Sequence, residues 1–192
     1  MKLSHNDSEA FFRLAWSLQL FVNRRKGILP TVSTVEEYRI LPDEQRILVR
    51  DALWEEPQLI TAYVAENPDG FSEGDLAEVQ AWAGAIRGDF YIERYLKDHG
   101  VFIGDNAVFA VIGLFKPLDE VFPEYLLPLL VQAVLLPFRD KIVYDGYMRS
   151  YSIRFGGGIK RSLRETYMSA KQQGRIIATL ETKPANARRA KR

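Results

Sequence analysis

Three consecutive glycines followed by two basic residues form the segment of this sequence that is best suited to chemistry. The run is Gly156-Gly157-Gly158, then Ile159, then Lys160 and Arg161. A helix that begins at such a run leaves backbone N–H groups open, and the helix dipole favours an anion there. Glycines let a phosphate approach the backbone, and the two cations would add positive charge. The segment therefore predicts an anion-binding site at Gly156, Gly157, Gly158, Lys160 and Arg161.

The same glycines have a purely structural interpretation, in which they let a strand turn sharply into a helix. The run matches neither G-x-x-x-x-G-K-[ST] nor G-x-G-x-x-G, and no parallel βαβ unit surrounds it. Both interpretations stay open on the sequence alone.

The last ten residues form a second candidate site, because they hold five basic residues and no acidic one. The basic residues are Lys183, Arg188, Arg189, Lys191 and Arg192. They contribute +5, so residues 1–182 carry −4 of the total net charge of +1. Such a segment suits the phosphates of a nucleic acid, in a salt-sensitive and sequence-independent way, or is simply a solvated end. We predict a disordered basic tail over residues 183–192.

Other catalytic and metal-binding patterns are missing from the sequence. There is no cysteine, which excludes disulfides, thiolate catalysis and zinc–thiolate sites. His5 and His99 stand apart, and His99 lies in a turn where we expect an exposed side chain. A magnesium site built from Asp105, Asp119 and Asp145 is an alternative that nothing in their spacing demands. We therefore predict no metal and no cofactor, and the sequence favours a protein that is not an enzyme.

The first half of the chain is predicted to be helical, because its apolar residues recur with a period near 3.6. The pattern predicts helices over residues 7–26, from 42, over 57–67 and over 72–88. Gly27 is expected to end the first helix in the left-handed conformation, and Asp7 or Ser8 to cap its start. These helices make up a helical region over residues 1–88.

From residue 89 onward, short apolar runs alternate with turn signals. They predict strands over residues 90–96, 101–103, 107–114, 129–136 and 141–144. Asp145-Gly146 is a typical hairpin signal, and it would lead into a further strand that buries Tyr151, Ile153 and Phe155. A helix to about Gln173 and a short strand over 175–180 would follow.

These elements together predict an α+β fold. A helical region precedes an antiparallel meander sheet of about five strands, with one C-terminal helix packed on it over residues 89–182. Alternatively, residues 1–182 form one compact unit rather than two regions.

Two segments of the second half resemble a group of uncharacterised bacterial proteins. One is Leu135–Gly146, which holds an LPFxxxIxYDG element. The other runs from Ser152 through the glycine-rich step and terminal helix to Leu180. The resemblance covers roughly residues 90–180 and implies a bacterial protein. It supplies no activity and no catalytic residues.

The preferred functional hypothesis is a non-catalytic binding or accessory module for a protein partner or an anionic polymer such as nucleic acid. We expect it in the cytoplasm and not in a membrane, because the most apolar stretch, Tyr125–Phe138, is short and interrupted. One alternative is an enzyme acting on a phosphorylated small molecule held at the Gly156–Arg161 step. Another is a homo-oligomer whose interface contains Trp16, Trp54 and Trp82, although burial of these side chains in the core explains them equally well or better.

Overall fold

Helices occupy the first half of the chain, as the hydrophobic period predicts. The computed structural model describes residues 1–180. A short 3-10 turn, Trp82–Gly84, joins the helices to the sheet. The N-terminal helices are α1 (His5–Lys26), α2 (Val35–Arg39), α3 (Asp43–Glu55), α4 (Gln58–Glu66) and α5 (Glu73–Ala81).

Local capping explains where these helices begin and end. Gly27 has a φ of +62° and ends α1, which confirms that prediction. The start of α1 is capped by Ser4, whose hydroxyl accepts from the Asp7 N–H at 3.1 Å, and not by Asp7 or Ser8. The helix α5 ends at Ala81, well before Gly88, because strand pairing already begins at Ile86.

Six strands form one mixed sheet within residues 1–180. Their order is β2-β1-β4-β5-β3-β6, and β2 also pairs with β3. Five strands therefore close into a ring, and β6 is added to β3 outside it. The strands are β1 (Ile86–Tyr95), β2 (Gly100–Gly104), β3 (Ala107–Val111), β4 (Leu129–Phe138), β5 (Lys141–Ser150) and β6 (Ile176–Ile177).

The sheet is mixed, so the predicted antiparallel meander is wrong in three pairings. Short turns do join β1 to β2, β2 to β3 and β4 to β5 as antiparallel neighbours. However, residues 112–128, which include α6 (Leu118–Val121), return the chain to β1, so that β4 pairs with β1. The next strand, β5, then lies parallel to β3, as does β6. The long connection is what permits non-sequential, parallel neighbours.

The predicted hairpin at Asp145-Gly146 is also wrong. Strand β5 continues through both residues, and the register against β4 shifts between Ala133 and Leu135. Gly146 has a φ of +97° and lies at this bulge. The Asp-Gly pair, which is typical of a hairpin turn, is therefore found at a bulge inside a strand. As a result, residues 151–155 form no strand.

One apolar core contains side chains from both helices and strands. At its centre, Phe11 of α1 lies 5.4 Å from the Trp82 ring and 5.3 Å from the Phe138 ring of β4. The Trp82 indole donates a hydrogen bond to the Pro137 carbonyl at 3.1 Å. Helices of the first half are thus packed directly on the sheet.

The C-terminal helix α7 (Gly157–Gln172) packs on the sheet, as the sequence predicts. Its buried residues Leu163, Tyr167 and Ala170 recur at three- and four-residue intervals and form one stripe. That stripe contacts Val101, Ile103 and Val108 of β2 and β3. The packing fixes which side of α7 faces solvent.

Candidate anion-binding site

The glycine-rich step lies at the start of α7 and is open to solvent. Gly156 is the extended residue before the helix (φ −73°, ψ 171°), and no side chain caps the helix start. All three glycines are exposed, and a Cβ at any of them would meet nothing within 4 Å. Within residues 1–180, no acceptor outside the helix takes the Gly157 and Gly158 N–H groups. The amides that the sequence predicts to be open are therefore open in the structure.

The exposed side of α7 carries further basic side chains in addition to Lys160 and Arg161, which follow the glycine run. Lys160, Arg164 and Lys171 follow one another at intervals of four and seven residues, which places them on the same side of a helix. None of them forms an ion pair with any side chain in residues 1–180. We call the six exposed cations of this segment the basic face. Its members are Arg154, Lys160, Arg161, Arg164, Lys171 and Arg175.

The charge of the described chain is strongly polarised. Residues 154–175 hold six basic residues and one acidic residue, Glu165, whereas residues 1–153 hold 15 basic and 23 acidic residues. In the helical region, cations are commonly paired, as Arg13 is with Asp75 and Arg25 with Glu66. Among residues 1–180, the basic face has no such partners. A count of charges along the chain would have found Arg154, Arg164, Lys171 and Arg175, which a search for motifs missed.

The predicted nucleic-acid contacts at Lys183, Arg188, Arg189, Lys191 and Arg192 lie outside the described residues. The basic face is therefore defined without these five residues. Their charge has the same sign as that of the basic face.

A separate cleft lies between α1, α3 and the bulge of β5, and no motif pointed to it. It has a volume of about 460 Å³. The helix α1 contributes Phe12 and Trp16, and the turn after β3 contributes Phe115 and Lys116. The rest of the lining consists of Ala15, Gln19, Asp43, Arg46, Ile47, Arg50, Asp145, Gly146 and Tyr147.

Asp145 connects the floor of this cleft to α3. Its Oδ2 accepts from Arg50 Nε at 2.6 Å and from Trp54 Nε1 at 2.7 Å, and its Oδ1 accepts from the Tyr147 N–H at 3.3 Å. The side chain of Asp145 is only 3% exposed. Burial raises the pKa of Asp145, while the Arg50 guanidinium and the Trp54 N–H oppose that rise. Because its oxygens are already engaged, Asp145 holds other groups in place.

The remaining candidate residues do not converge on a site. Asp105 lies in the turn between β2 and β3, Asp119 lies in α6, and Asp145 is in β5. No group of three or more His, Cys, Asp or Glu residues in the described part of the chain is placed to hold a metal ion.

His99 is more buried than the sequence indicates, whereas two of the three tryptophans lie in the core, which the sequence already offered as an explanation of them. His99 is half-buried rather than exposed, and within residues 1–180 its buried Nε2 has no hydrogen-bond partner. Burial lowers the pKa of His99, and only the neighbouring Asp98 opposes that shift. Trp54 and Trp82 are buried inside the molecule, so they are not free to anchor an interface, whereas Trp16 lines the cleft.

Comparisons with known proteins add no constraint on function. No protein-family model matches the chain, and no curated protein or solved structure matches it. The similarity to an uncharacterised bacterial group therefore stays a prediction. Among the described helices, none combines the length and the apolar character that crossing a bilayer requires.

Proposed function

We propose that this protein is a non-catalytic binding module for an anionic polymer, with nucleic acid as the polymer to test first. The observation that carries the proposal is the basic face: six exposed cations without ion-pair partners in residues 1–180, on and beside one helix whose first amides are open. Polyanions bind such surfaces because cations that neutralise phosphates release counterions.

The dimensions of α7 suit an extended polyanion. Its 16 residues give a length of about 24 Å, at 1.5 Å per residue. Each strand of a DNA double helix places a phosphate roughly every 3.4 Å along the helix axis, so about seven phosphates of one such strand lie along that length. The N–H groups at Gly157 and Gly158 add donors at one end, where the dipole is positive. Phosphate contacts of this kind are independent of base sequence.

An enzyme that holds a phosphorylated small molecule at the glycine step has less support. Catalytic phosphate sites exclude water, whereas side chains added at Gly156, Gly157 or Gly158 would find open space. Within residues 1–180, no carboxylate or imidazole forms an ion pair with Lys160 or Arg161, so no candidate general base is held beside the step. The basic face therefore favours binding over catalysis.

The proposal is tested by comparing two double variants that change the net charge equally but on different surfaces. One variant carries Lys160→Glu and Arg164→Glu on the basic face. The control variant carries Arg39→Glu and Lys97→Glu, two exposed cations that also lack ion pairs in residues 1–180. Both variants have the same net charge. Binding of a labelled 20-nucleotide single strand is measured by fluorescence anisotropy.

We expect the basic-face variant to bind at least about tenfold more weakly than the wild type, because two phosphate contacts become repulsive. The control variant should lose much less. Equal losses in both variants would show that only total charge matters, and they would refute a binding face on α7. A matching experiment with an acidic peptide separates a nucleic-acid ligand from an acidic protein partner.

A further inference from the structure

The cleft between α1 and α3 has the size and lining of a small-molecule site. Its volume of about 460 Å³ lies within the range of roughly 300–1,000 Å³ that is typical of such sites. Its lining comes from α1, from α3, from the turn after β3 and from the β5 bulge. Most of the lining therefore comes from rigid elements.

Flat aromatic surfaces line one side of the cleft. Phe115 is 44% exposed, and its ring is stacked on that of Phe12, with centroids 4.8 Å apart and planes within 2°. The centroid of the Trp16 ring lies 5.1 Å from that of Phe12. Gly113 allows the tight turn that presents Phe115, since a Cβ there would lie 2.2 Å from the Lys116 carbonyl oxygen. An exposed, stacked ring inside a concavity favours a flat unsaturated ligand.

Arg50 contributes a fixed cation to the lining of the cleft. The Arg50 guanidinium is held by Asp145, by Asp51 at 2.8 Å and by the Tyr147 ring at 5.2 Å. Its Nη2 has no hydrogen-bond partner in residues 1–180. A donor fixed in this way loses little side-chain freedom when it binds a ligand.

The charges of the lining do not cancel. Arg46 is paired with Asp43, and Arg50 is paired with Asp145. Lys116 is exposed and forms no ion pair with the described residues. The lining therefore has one unpaired positive charge, beside the stacked rings of Phe12 and Phe115.

We propose that this cleft binds a small molecule that joins a flat aromatic ring to one acidic group. The ring would lie against Phe115, and the acid would face Lys116 and the open Nη2 of Arg50. This site is separate from the basic face on α7, because the two share no residue.

The test uses 1-anilinonaphthalene-8-sulfonate, whose fluorescence rises when it leaves water for an apolar site. The probe is titrated into the full-length protein, then displaced by 2-naphthoate or by the neutral 2-naphthalenemethanol, which has the same ring system. Variants are Lys116→Met and Phe115→Leu. The matched controls are Lys97→Met and Leu48→Ala, two exposed residues outside the cleft.

We expect saturable binding at one site, with displacement by 2-naphthoate at about tenfold lower concentration than by the alcohol. Lys116→Met should remove most of that difference, Phe115→Leu should weaken both compounds, and the controls should match the wild type. Equal displacement by acid and alcohol, or equal binding by all variants, would overturn the proposal. The variant Lys160→Glu with Arg164→Glu should bind the probe normally, so failure here is distinguishable from failure of the polyanion proposal.

Discussion

Asp145 of β5 accepts a hydrogen bond from the indole N–H of Trp54 in α3 at 2.7 Å, across 91 residues of sequence. The same carboxylate oxygen accepts from Arg50, one turn earlier in α3. A single buried acid thus ties a helix of the first half to a strand of the second. Asp145 lies at the floor of the cleft between α1 and α3, and its hydrogen bond fixes the orientation of Arg50 in that cleft.

Removal of the Asp145 carboxylate should destabilise the protein. Asp145→Ala leaves the Arg50 guanidinium, 12% exposed, and the buried Trp54 N–H without their acceptor. We expect the free energy of unfolding to fall by about 3 kcal/mol, which is the lower end of the range for broken buried ion pairs, because Asp51 still binds Arg50. Urea unfolding followed by far-UV circular dichroism measures it.

Asp51 supplies the control for that experiment, because it binds the same arginine from the surface. Its side chain is 55% exposed. Asp51→Ala should change the free energy of unfolding by only about 0.5 kcal/mol. Equal effects of the two substitutions would contradict the role assigned to Asp145.

The bulge beside Asp145 depends on Gly146. Its φ of +97° is a conformation that residues with a Cβ adopt at a cost, whereas a Cβ there would contact Phe12 at an ordinary 3.6 Å. Gly146→Ala should therefore lower the free energy of unfolding by about 1 to 2 kcal/mol through backbone strain alone. Gly88→Ala, at a strand glycine with open space and no positive φ, is the control and should raise the free energy of unfolding by about 0.5 kcal/mol, because alanine restricts the unfolded chain. If both variants unfold at the same urea concentration, the bulge does not need glycine.

His99 makes stability depend on pH. Burial lowers its pKa in the folded state below the ordinary 6.5, so the unfolded chain binds the proton more readily. The contribution of neutral His99 is therefore complete above about pH 6.5, the pKa of the unfolded chain, and is lost as the pH falls from there through the lower pKa of the folded state.

His99→Gln should reduce the loss of stability between about pH 7 and pH 5. Thermal unfolding at several pH values measures the difference between variant and wild type. The chain has only one other histidine, His5, which is exposed beside Glu9, so His5→Gln is the control. A wild type whose melting temperature is unchanged over this range would disprove the assignment.

Local sequence predicts most helices and strands because their hydrophobic periods are strong. The cap at Gly27 and the buried stripe of α7 follow from the residue types alone. The Asp145-Gly146 bulge does not, because a residue pair that favours positive φ suits a turn and a bulge equally well. The parallel contact of β3 with β5 does not either, since it depends on where β4 pairs after a long connection.

Of the two candidate sites, one can be predicted from the sequence and the other cannot. The open glycines and the cations of α7 are neighbours in sequence, so composition alone can find them. The cleft between α1 and α3 is lined by Phe12, Arg50, Phe115 and Asp145. These residues are far apart in sequence, and no spacing between them follows a known motif. Only the packing of α1 and α3 on the sheet brings them together.

The open amides of α7 can be tested through its first residue. Gly156 is extended, as a residue before proline must be, and proline suits the first position of a helix. Gly157→Pro removes one N–H and should stabilise the fold by about 0.5 kcal/mol, because it restricts the unfolded chain.

The same substitution should weaken oligonucleotide binding about two- to threefold if that N–H meets a phosphate. Gly157→Ala retains the N–H and has space for its Cβ, so it is the matched control and should bind like the wild type. A proline variant with normal stability and unaltered affinity would remove the amides from the binding site.

The most direct test of the basic face is the salt dependence of oligonucleotide binding. Each phosphate contact contributes about −0.7 to the slope of log K against log salt for a single strand. A variant with Lys160→Met and Arg164→Met should therefore have a slope shallower by about 1.4 than the wild type, whereas Arg39→Met with Lys97→Met should retain the wild-type slope. Equal slopes for all three proteins would contradict the central claim that α7 binds the polyanion.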